Sequence, residues 1–208
     1  MAYAAVIDWY GPYASVREAK AASRKLEFGE ALYLAIGTVE RQRIPHLQYV
    51  GITHDFCARL NPKHTIRKFV SEEGLSLYIG VVSSQGVAGR RPSHHSQKHS
   101  SLVDLAEDAI AFLLELPLNI DKRTRPPKDS IIIVNRWWHD DDRRKRRRPH
   151  WDWPDYLEYD DHSDTAMVAW HGGSRHHYNE AALQDICKRA RRDIKKLKAR
   201  KQKALTGD

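Results

Sequence analysis

The feature of this sequence that most constrains its fold is a carboxylate in the middle of an apolar helix pattern. Apolar residues recur at helical spacing over residues 101–119, with Ser101 as the expected N-cap and Asp104 as its capping-box partner. Glu107 lies in the apolar stripe of this helix, next to Val103, Ile110, Ala111 and Leu114. A buried carboxylate requires an Arg or Lys, a set of hydrogen-bond donors or a metal ion. A metal ion would make this helix one wall of an active site.

The charge and the cysteine content narrow the class of protein. The chain carries 35 Lys and Arg and a formal net charge of +8, which is typical of proteins with a polyanionic partner such as nucleic acid. Its two cysteines, Cys57 and Cys187, form no CxxC pair, so neither a disulfide framework nor a zinc ribbon is expected. The sequence has no stretch of about 18 apolar residues and no signal-peptide pattern. We therefore expect a cytoplasmic protein with no membrane partner.

Several strands are predicted before the acidic helix. Residues 30–39 and 47–52 alternate in polarity and are expected to be antiparallel neighbours, and residues 75–83 form a third strand. Residues 4–9 predict a short strand that, with the helix after it, we interpret as an N-terminal extension. The polar residues 84–100 are expected to form a loop.

Two short helices are expected between the second and third of these strands. Thr53 or Asp55 can cap the first helix, which carries Arg59. Asn61 and Pro62 end that helix and are expected to begin the second, because Asn is a good N-cap and proline is favoured at the first helical position.

The second half of the chain is predicted to bind nucleic acid. Residues 130–137 and 165–170 are expected to be paired strands, and residues 180–205 a basic helix. Between the strands lies a basic run: Arg143, Arg144, Lys145, Arg146, Arg147 and Arg148. Aromatic residues follow it: Trp151, Trp153, Tyr156 and Tyr159. Such a segment suits contacts with phosphates and bases. The alternative is a solvated insertion whose aromatics pack at its base.

The order of these motifs resembles the GIY-YIG nuclease family. Tyr33 stands in ALYLAIG, Tyr49 in QYVGIT and Arg59 on the following helix, and Glu107 comes after a third strand. Asn119 stands twelve residues after the glutamate, as the family's asparagine does. The resemblance covers residues 31–119. The first motif reads LYL in place of GIY, and the two tyrosines are further apart than in compact members.

The resemblance implies an architecture. It implies an α+β fold with a small antiparallel three-stranded sheet flanked by helices, elaborated at the N-terminus and by a basic C-terminal half. The corresponding domain division is an extension at 1–29, a catalytic core at 30–120 and a DNA-binding part at 121–208.

The resemblance also implies a set of catalytic residues. By analogy, Glu107 holds a single Mg²⁺ or Mn²⁺ and Arg59 binds the scissile phosphate. Tyr33 activates the attacking water, Tyr49 binds water and orients the site, and Asn119 fixes the end of the helix and the neighbouring loop.

One family position is ambiguous in this chain. Pro62 interrupts the helix that in many members carries a Tyr or His one turn after the arginine. Lys63 stands at that position with His64 beside it, and either side chain could accept a proton from Tyr33.

The expected function is Mg²⁺-dependent cleavage of double-stranded DNA, in restriction or anti-phage defence. Alternatives are a homing nuclease, a repair or structure-specific nuclease, a catalytically inactive nucleic-acid-binding module, and an RNA-binding accessory protein. One metal site cuts one strand, so a restriction-type enzyme of this size is expected to act as a homodimer or by two sequential nicks. A zinc site built from His94, His95 and His99 is a weaker alternative, because Cys pairs and an HxxxH helix are both missing.

Overall fold

Eight strands form one mixed sheet, in the spatial order β3-β2-β4-β1-β5-β6-β7-β8. The computed structural model describes residues 2–40, 42–84 and 99–206, without the side chains of residues 99–101 and 200–206. The strands are β1 (Tyr3–Tyr13), β2 (Ala31–Gly37), β3 (His46–Thr53), β4 (Ser76–Val82), β5 (Ile131–Trp138), β6 (Tyr156–Asp160), β7 (Thr165–Ala169) and β8 (Arg175–Tyr178). The helices are α1 (Val16–Lys25), α2 (Phe56–Arg59), α3 (Thr65–Phe69), α4 (His99–Leu113), a 3₁₀ helix (Ile120–Thr124) and α5 (Glu180–Thr206).

The predicted small three-stranded sheet is wrong. β3, β2 and β4 do pair antiparallel, as expected for the strands of residues 30–39, 47–52 and 75–83. However, β4 also pairs with β1, and β1 pairs in parallel with β5, so the sheet continues into the second half of the chain. The physical reason is that β1 is an inner strand of eleven residues with Ile7 and Trp9 fully buried. Residues 4–9 are therefore part of the central sheet.

The C-terminal strands also differ from the prediction. β7 pairs with β6 and β8 and not with β5, because β6 lies between them. β6 and β8 are short, and their sequences are dominated by Tyr, His and charged residues. Such sequences lack the apolar alternation that predicts a strand.

Helix boundaries confirm part of the prediction. Asp55 caps α2 by accepting hydrogen bonds from the backbone N–H groups of Cys57 and Ala58. The expected start of the next helix at Asn61 is wrong, because α3 begins at Thr65. The expected Ser101 cap is also wrong, because α4 already begins at His99.

The sheet separates two apolar cores. On one face α4 packs over Leu32, Leu34 and Val50, in a core that also holds the fully buried Trp9 and Trp153. The other face carries Tyr33, Tyr49 and Ile79 under the residues of α1, α2 and α3. Along the described ranges, no helix has the length and apolar character needed to cross a bilayer. Of the predicted loop, residues 85–98 lie outside the described part of the chain, and His94 and His95 of the zinc alternative lie there too.

Candidate active site

Two tyrosines and a histidine form a buried aromatic cluster between β2, β3 and α3. The Tyr33 ring lies 5.9 Å from the Tyr49 ring and 5.7 Å from the His64 ring, measured between centroids. His64 and Tyr49 are 5.3 Å apart on the same measure. Tyr33 has no exposed surface, whereas Tyr49 and His64 each keep 9%. Strand pairing thus brings together three of the residues that the sequence singled out.

Gly51 makes room for the Tyr33 ring. It stands opposite Tyr33 in the β2–β3 pair. A Cβ atom at this position would lie 2.4 Å from both Cζ and the hydroxyl oxygen of Tyr33, far inside van der Waals contact. The glycine of the YVG motif therefore lets Tyr33 lie flat across the neighbouring strand.

Arg59 connects this cluster to solvent. Its Nε donates a hydrogen bond to the Tyr33 hydroxyl at 3.2 Å, while the residue as a whole is exposed. Because Nε is engaged, the plane of the guanidinium is fixed, and its terminal N–H groups lie at the cleft beside Tyr49, with which Arg59 also interacts.

The hydrogen bonds of His64 fix its tautomer. His64 caps α3, and its Nδ1 accepts the backbone N–H of Ile66 at 3.2 Å. A neutral imidazole that accepts at Nδ1 carries its proton on Nε2. Nε2 lies 2.9 Å from the Tyr33 hydroxyl, so His64 donates to Tyr33 in this tautomer. The phenol oxygen then accepts hydrogen bonds from both His64 and Arg59.

Burial sets the protonation states of the cluster. Burial raises the pKa of Tyr33, with a further rise from Tyr49, while Arg59 opposes it. Burial, together with the charge of Arg59, lowers the pKa of His64 to about 4. At neutral pH Tyr33 is therefore a phenol and His64 is uncharged, which agrees with the tautomer.

An open cleft of about 580 Å³ lies against this cluster. Its lining residues come from the end of β3, from α2 and from the turn into α3. They include Tyr49, Arg59, His64 and the exposed Lys63. The cleft is thus weakly basic, because the cations of Arg59 and Lys63 outnumber the one carboxylate in its lining, Asp55, and Tyr49 and His64 give it an aromatic wall.

Glu107 lies on the other side of edge strand β3, in a separate ionic cluster. It is 5% exposed, as its place in the apolar stripe predicted, and its Oε2 lies 2.8 Å from the Nζ of Lys122. Asp108 bonds the same ammonium. Burial raises the pKa of Glu107, and the hydrogen bond from Lys122 opposes that rise. A basic side chain, hydrogen-bond donors or a metal ion were expected beside this carboxylate, and the structure has a basic side chain, Lys122. The sequence did not show which of the basic residues in this segment would be the partner.

The Glu107 cluster contains carboxylate oxygens, which are the usual ligands of divalent cations. Two carboxylates converge on one cation, and hard oxygen ligands suit Mg²⁺ or Mn²⁺. A metal ion could bind Glu107 only if the Lys122 ammonium moved aside. Within residues 2–40, 42–84 and 99–206, no group of three or more His, Cys, Asp or Glu could hold a metal. Mg²⁺ often binds proteins through one or two carboxylates, so Glu107 and Asp108 fit it by chemistry.

Asn119 joins the Glu107 cluster to the tyrosine strand. Its side chain donates to the carbonyl of Val50 at 2.8 Å and accepts the N–H of Val50 at 2.9 Å. Val50 is the neighbour of Tyr49 on β3, and Lys122 follows Asn119 by three residues. The two clusters are therefore fixed to opposite sides of one edge strand.

Three side chains of the basic run, residues 143–148, form hydrogen bonds or ion pairs with other described residues, and three do not. Lys145 donates to the Gly11 carbonyl, and Arg148 pairs with Asp155 at 3.1 Å. Arg143 pairs with Asp141 at 2.7 Å. The remaining three are exposed and make no side-chain hydrogen bond or ion pair with any other described residue: Arg144, Arg146 and Arg147. Of the aromatics that follow, Trp153 and Tyr159 belong to the core.

Comparison with known proteins adds no relative. No protein-family model matches the sequence, and no curated protein or solved structure matches it significantly. The functional interpretation therefore depends on the contacts within this chain.

Proposed function

We propose that this protein is a divalent-metal-dependent DNA endonuclease related to the GIY-YIG nucleases, acting in the cytoplasm in restriction or anti-phage defence. The observation that carries the proposal is the anchoring of Arg59. A buried phenol holds Nε of an exposed guanidinium at the wall of a basic cleft, which leaves the terminal N–H groups for a phosphate. A solvated surface arginine has no need of such an anchor.

The cleft residues take distinct roles in this proposal. Arg59 and Lys63 bind the non-bridging oxygens of a phosphodiester. Tyr49 faces the cleft and orients the water whose oxygen attacks phosphorus as the bond to the 3′ oxygen breaks. The proton of this water passes through the solvent of the open cleft to the leaving 3′ oxygen. Tyr33, which is fully buried, fixes Arg59 and completes the hydrogen-bond chain behind Tyr49. His64 donates to Tyr33, so we assign it as a positioning residue and leave Lys63 as the cation that faces substrate.

Glu107 would be the protein ligand of the metal ion, and Asp108 would serve only to hold Lys122. When bound there, a divalent cation would supply Lewis-acid stabilisation of the leaving oxygen, which requires the phosphodiester to lie across the edge of β3 between the two clusters. The Lys122 ammonium would have to leave Glu107 for the cation to bind. Asn119 keeps this cluster against the strand that carries Tyr49.

Replacing Glu107 with Gln tests the proposal most directly. We expect plasmid cleavage in Mg²⁺ to fall by at least about 10² to 10³, because the amide cannot hold the cation. The fold should survive, because Lys122 keeps its contact with Asp108. A time course of cleavage and a thermal melt on the same preparation measure both effects.

Asp108→Asn is the matched control, because Asp108 bonds the same lysine but is 37% exposed in its side chain. The proposal predicts a much smaller loss of cleavage for this variant than for Glu107→Gln. Equal losses in both variants, each in step with a lowered melting temperature, would show that the carboxylates serve only to hold Lys122.

A catalytically inactive nucleic-acid-binding module is the second candidate. The ion pair between Lys122 and Glu107 favours it, because a neutralised carboxylate needs no metal. Wild-type protein that binds DNA but leaves it intact with Mg²⁺ and with Mn²⁺ would select this candidate.

The number of strands cut in one event tests the expected homodimer. A single site cuts one strand, so a dimer acting in concert should convert supercoiled plasmid directly into linear product. Nicked circles that accumulate first, with linear DNA appearing only later, would instead indicate a monomer that cuts twice. Sedimentation of the DNA-free protein gives an independent measure of the dimer.

A further inference from the structure

Exposed hydrophobic side chains concentrate where two segments of the chain meet. Four large hydrophobic residues are strongly exposed in the described part of the chain, and two of them lie here: Trp151 at 61% and Ile44 at 55%. Ile44 belongs to the loop before β3, and Trp151 to the segment between the basic run and β6. His150 joins the two segments, because its Nε2 lies 3.1 Å from the carbonyl oxygen of Pro45.

The Trp151 ring is held in place although it is exposed. His150 accepts the backbone N–H of Asp152 at Nδ1, at 3.2 Å, so its Nε2 carries the proton that it donates to Pro45. Both nitrogens of His150 are thus engaged. The indole ring lies 5.3 Å from the His150 ring and 5.7 Å from the His46 ring, between centroids. A fixed, exposed aromatic surface is suited to stacking, because little conformational freedom is lost on binding.

The charges beside Trp151 favour a polyanion. Arg144, Arg146 and Arg147 are exposed and make no ion pair with other described residues. Arg147 and Trp151 are four residues apart, so their Cα atoms lie within about 14 Å of each other. Of the nearby carboxylates, Asp152 lies 3.7 Å from Nδ1 of His46, and Asp155 is paired with Arg148. Asp141 is paired with Arg143, and Asp140 accepts a hydrogen bond from Tyr13.

We propose that Trp151, braced by His46 and His150, is a stacking platform for an unpaired DNA base, with the three free arginines on the flanking phosphates. Bases inside a duplex are already stacked, so the platform would act on a single strand or on a base displaced from the helix. This inference rests on the proposed function for the identity of the ligand, DNA, but it concerns binding alone. A negative result in the stacking test can therefore be distinguished from a negative result in the cleavage test.

Binding of a fluorescent single-stranded 20-mer, measured in EDTA over a range of salt concentrations, tests the platform. Stacking is an uncharged interaction worth roughly 5- to 160-fold in affinity per base. We expect Trp151→Ala to weaken binding within that range without changing the slope of log K against log salt. The triple variant Arg144→Ala, Arg146→Ala and Arg147→Ala should reduce the slope by about 0.7 per lost phosphate contact. Trp151→Phe should recover part of the loss.

Phe69→Ala is the matched control, because it removes an aromatic side chain of similar exposure, 57%, elsewhere on the surface. A 2-aminopurine base in the oligonucleotide reports stacking directly, and its quenching should be lost in Trp151→Ala alone among the single variants. Binding by Trp151→Ala that equals wild type, or that falls together with the salt slope, would overturn the platform. Normal cleavage by such a variant would leave the nuclease proposal standing.

Discussion

Gly51 is the residue on which the geometry of the aromatic cluster depends. Replacing it with Ala would place a methyl group 2.4 Å from the Tyr33 hydroxyl, so the ring must move away from Arg59 and His64. We expect Gly51→Ala to destabilise the fold by about 1–3 kcal/mol through overpacking and to reduce cleavage by more than the loss of folded protein explains. Chemical denaturation and a cleavage assay measure the two effects.

Gly29→Ala provides the comparison, because a Cβ atom there meets nothing within 4 Å. It should leave stability and cleavage close to wild type. Full activity in Gly51→Ala would show that the position of the Tyr33 hydroxyl has no part in the reaction.

The sequence predicted the burial of some site residues but not their contact partners. The burial of Glu107 was readable, because helical periodicity defines its neighbours. The pairing of Glu107 with Lys122 could not be predicted, because the sequence does not show which of the several Lys and Arg residues in that loop turns inward. The sequence left open whether Lys63 or His64 contacts Tyr33. The choice of His64 and the direction of its hydrogen bond depend on a cap that begins α3 at Thr65 and not at Asn61.

At the scale of elements, the start of α3 makes the stability of the fold depend on pH. The pKa of His64 is about 4 in the folded protein, against about 6.5 when unfolded. Between these values the unfolded chain binds more protons, so stability falls as pH drops from about 6.5 to about 4, by up to about 3 kcal/mol.

His64→Asn should remove this dependence. Asn is a good N-cap and can still accept the N–H of Ile66, but it does not titrate. Urea denaturation of both proteins at several pH values between 4 and 7 measures the difference in slope. The prediction fails if the variant loses as much stability over this range as wild type does, whatever its absolute stability.

Strands with strong alternation were predicted well, and weakly patterned ones were missed. β2, β3, β4 and β5 were located to within a few residues. β6 went unrecognised because its conformation depends on burial of one face alone, where Leu157 and Tyr159 join the core around Trp153. β8 went unrecognised because it is mostly exposed and forms by pairing with β7.

At the scale of the whole molecule, the pairing of β1 decides the architecture. The contact between Asp8 and Arg136 spans 128 residues, and no local pattern encodes a pairing at that distance. Arg136 donates two hydrogen bonds to Asp8, which also accepts one from Trp138. The predicted division at residues 29 and 120 falls within a chain whose sheet is continuous across both points.

A fragment of residues 30–120 tests whether this continuity matters for stability. The fragment lacks β1, so β4 loses one of its two neighbours and Trp9 leaves the core. We expect the fragment to show no cooperative melting transition, whereas the whole chain should unfold in one step. Circular dichroism and calorimetry provide the measurement. A fragment that melts cooperatively near the temperature of the whole chain would identify an autonomous core.

The central place of β1 also has a consequence for synthesis on the ribosome. During synthesis β1 emerges before its parallel partner β5, which ends at Trp138, 125 residues after Tyr13. At a translation rate of roughly 5–20 residues per second, this edge of β1 stays without its partner strand for about 6 to 25 s. Its sequence, YAAVIDWYGPY, contains no lysine to discourage pairing with another chain. Newly made copies on one messenger RNA should therefore depend on chaperones until β5 emerges.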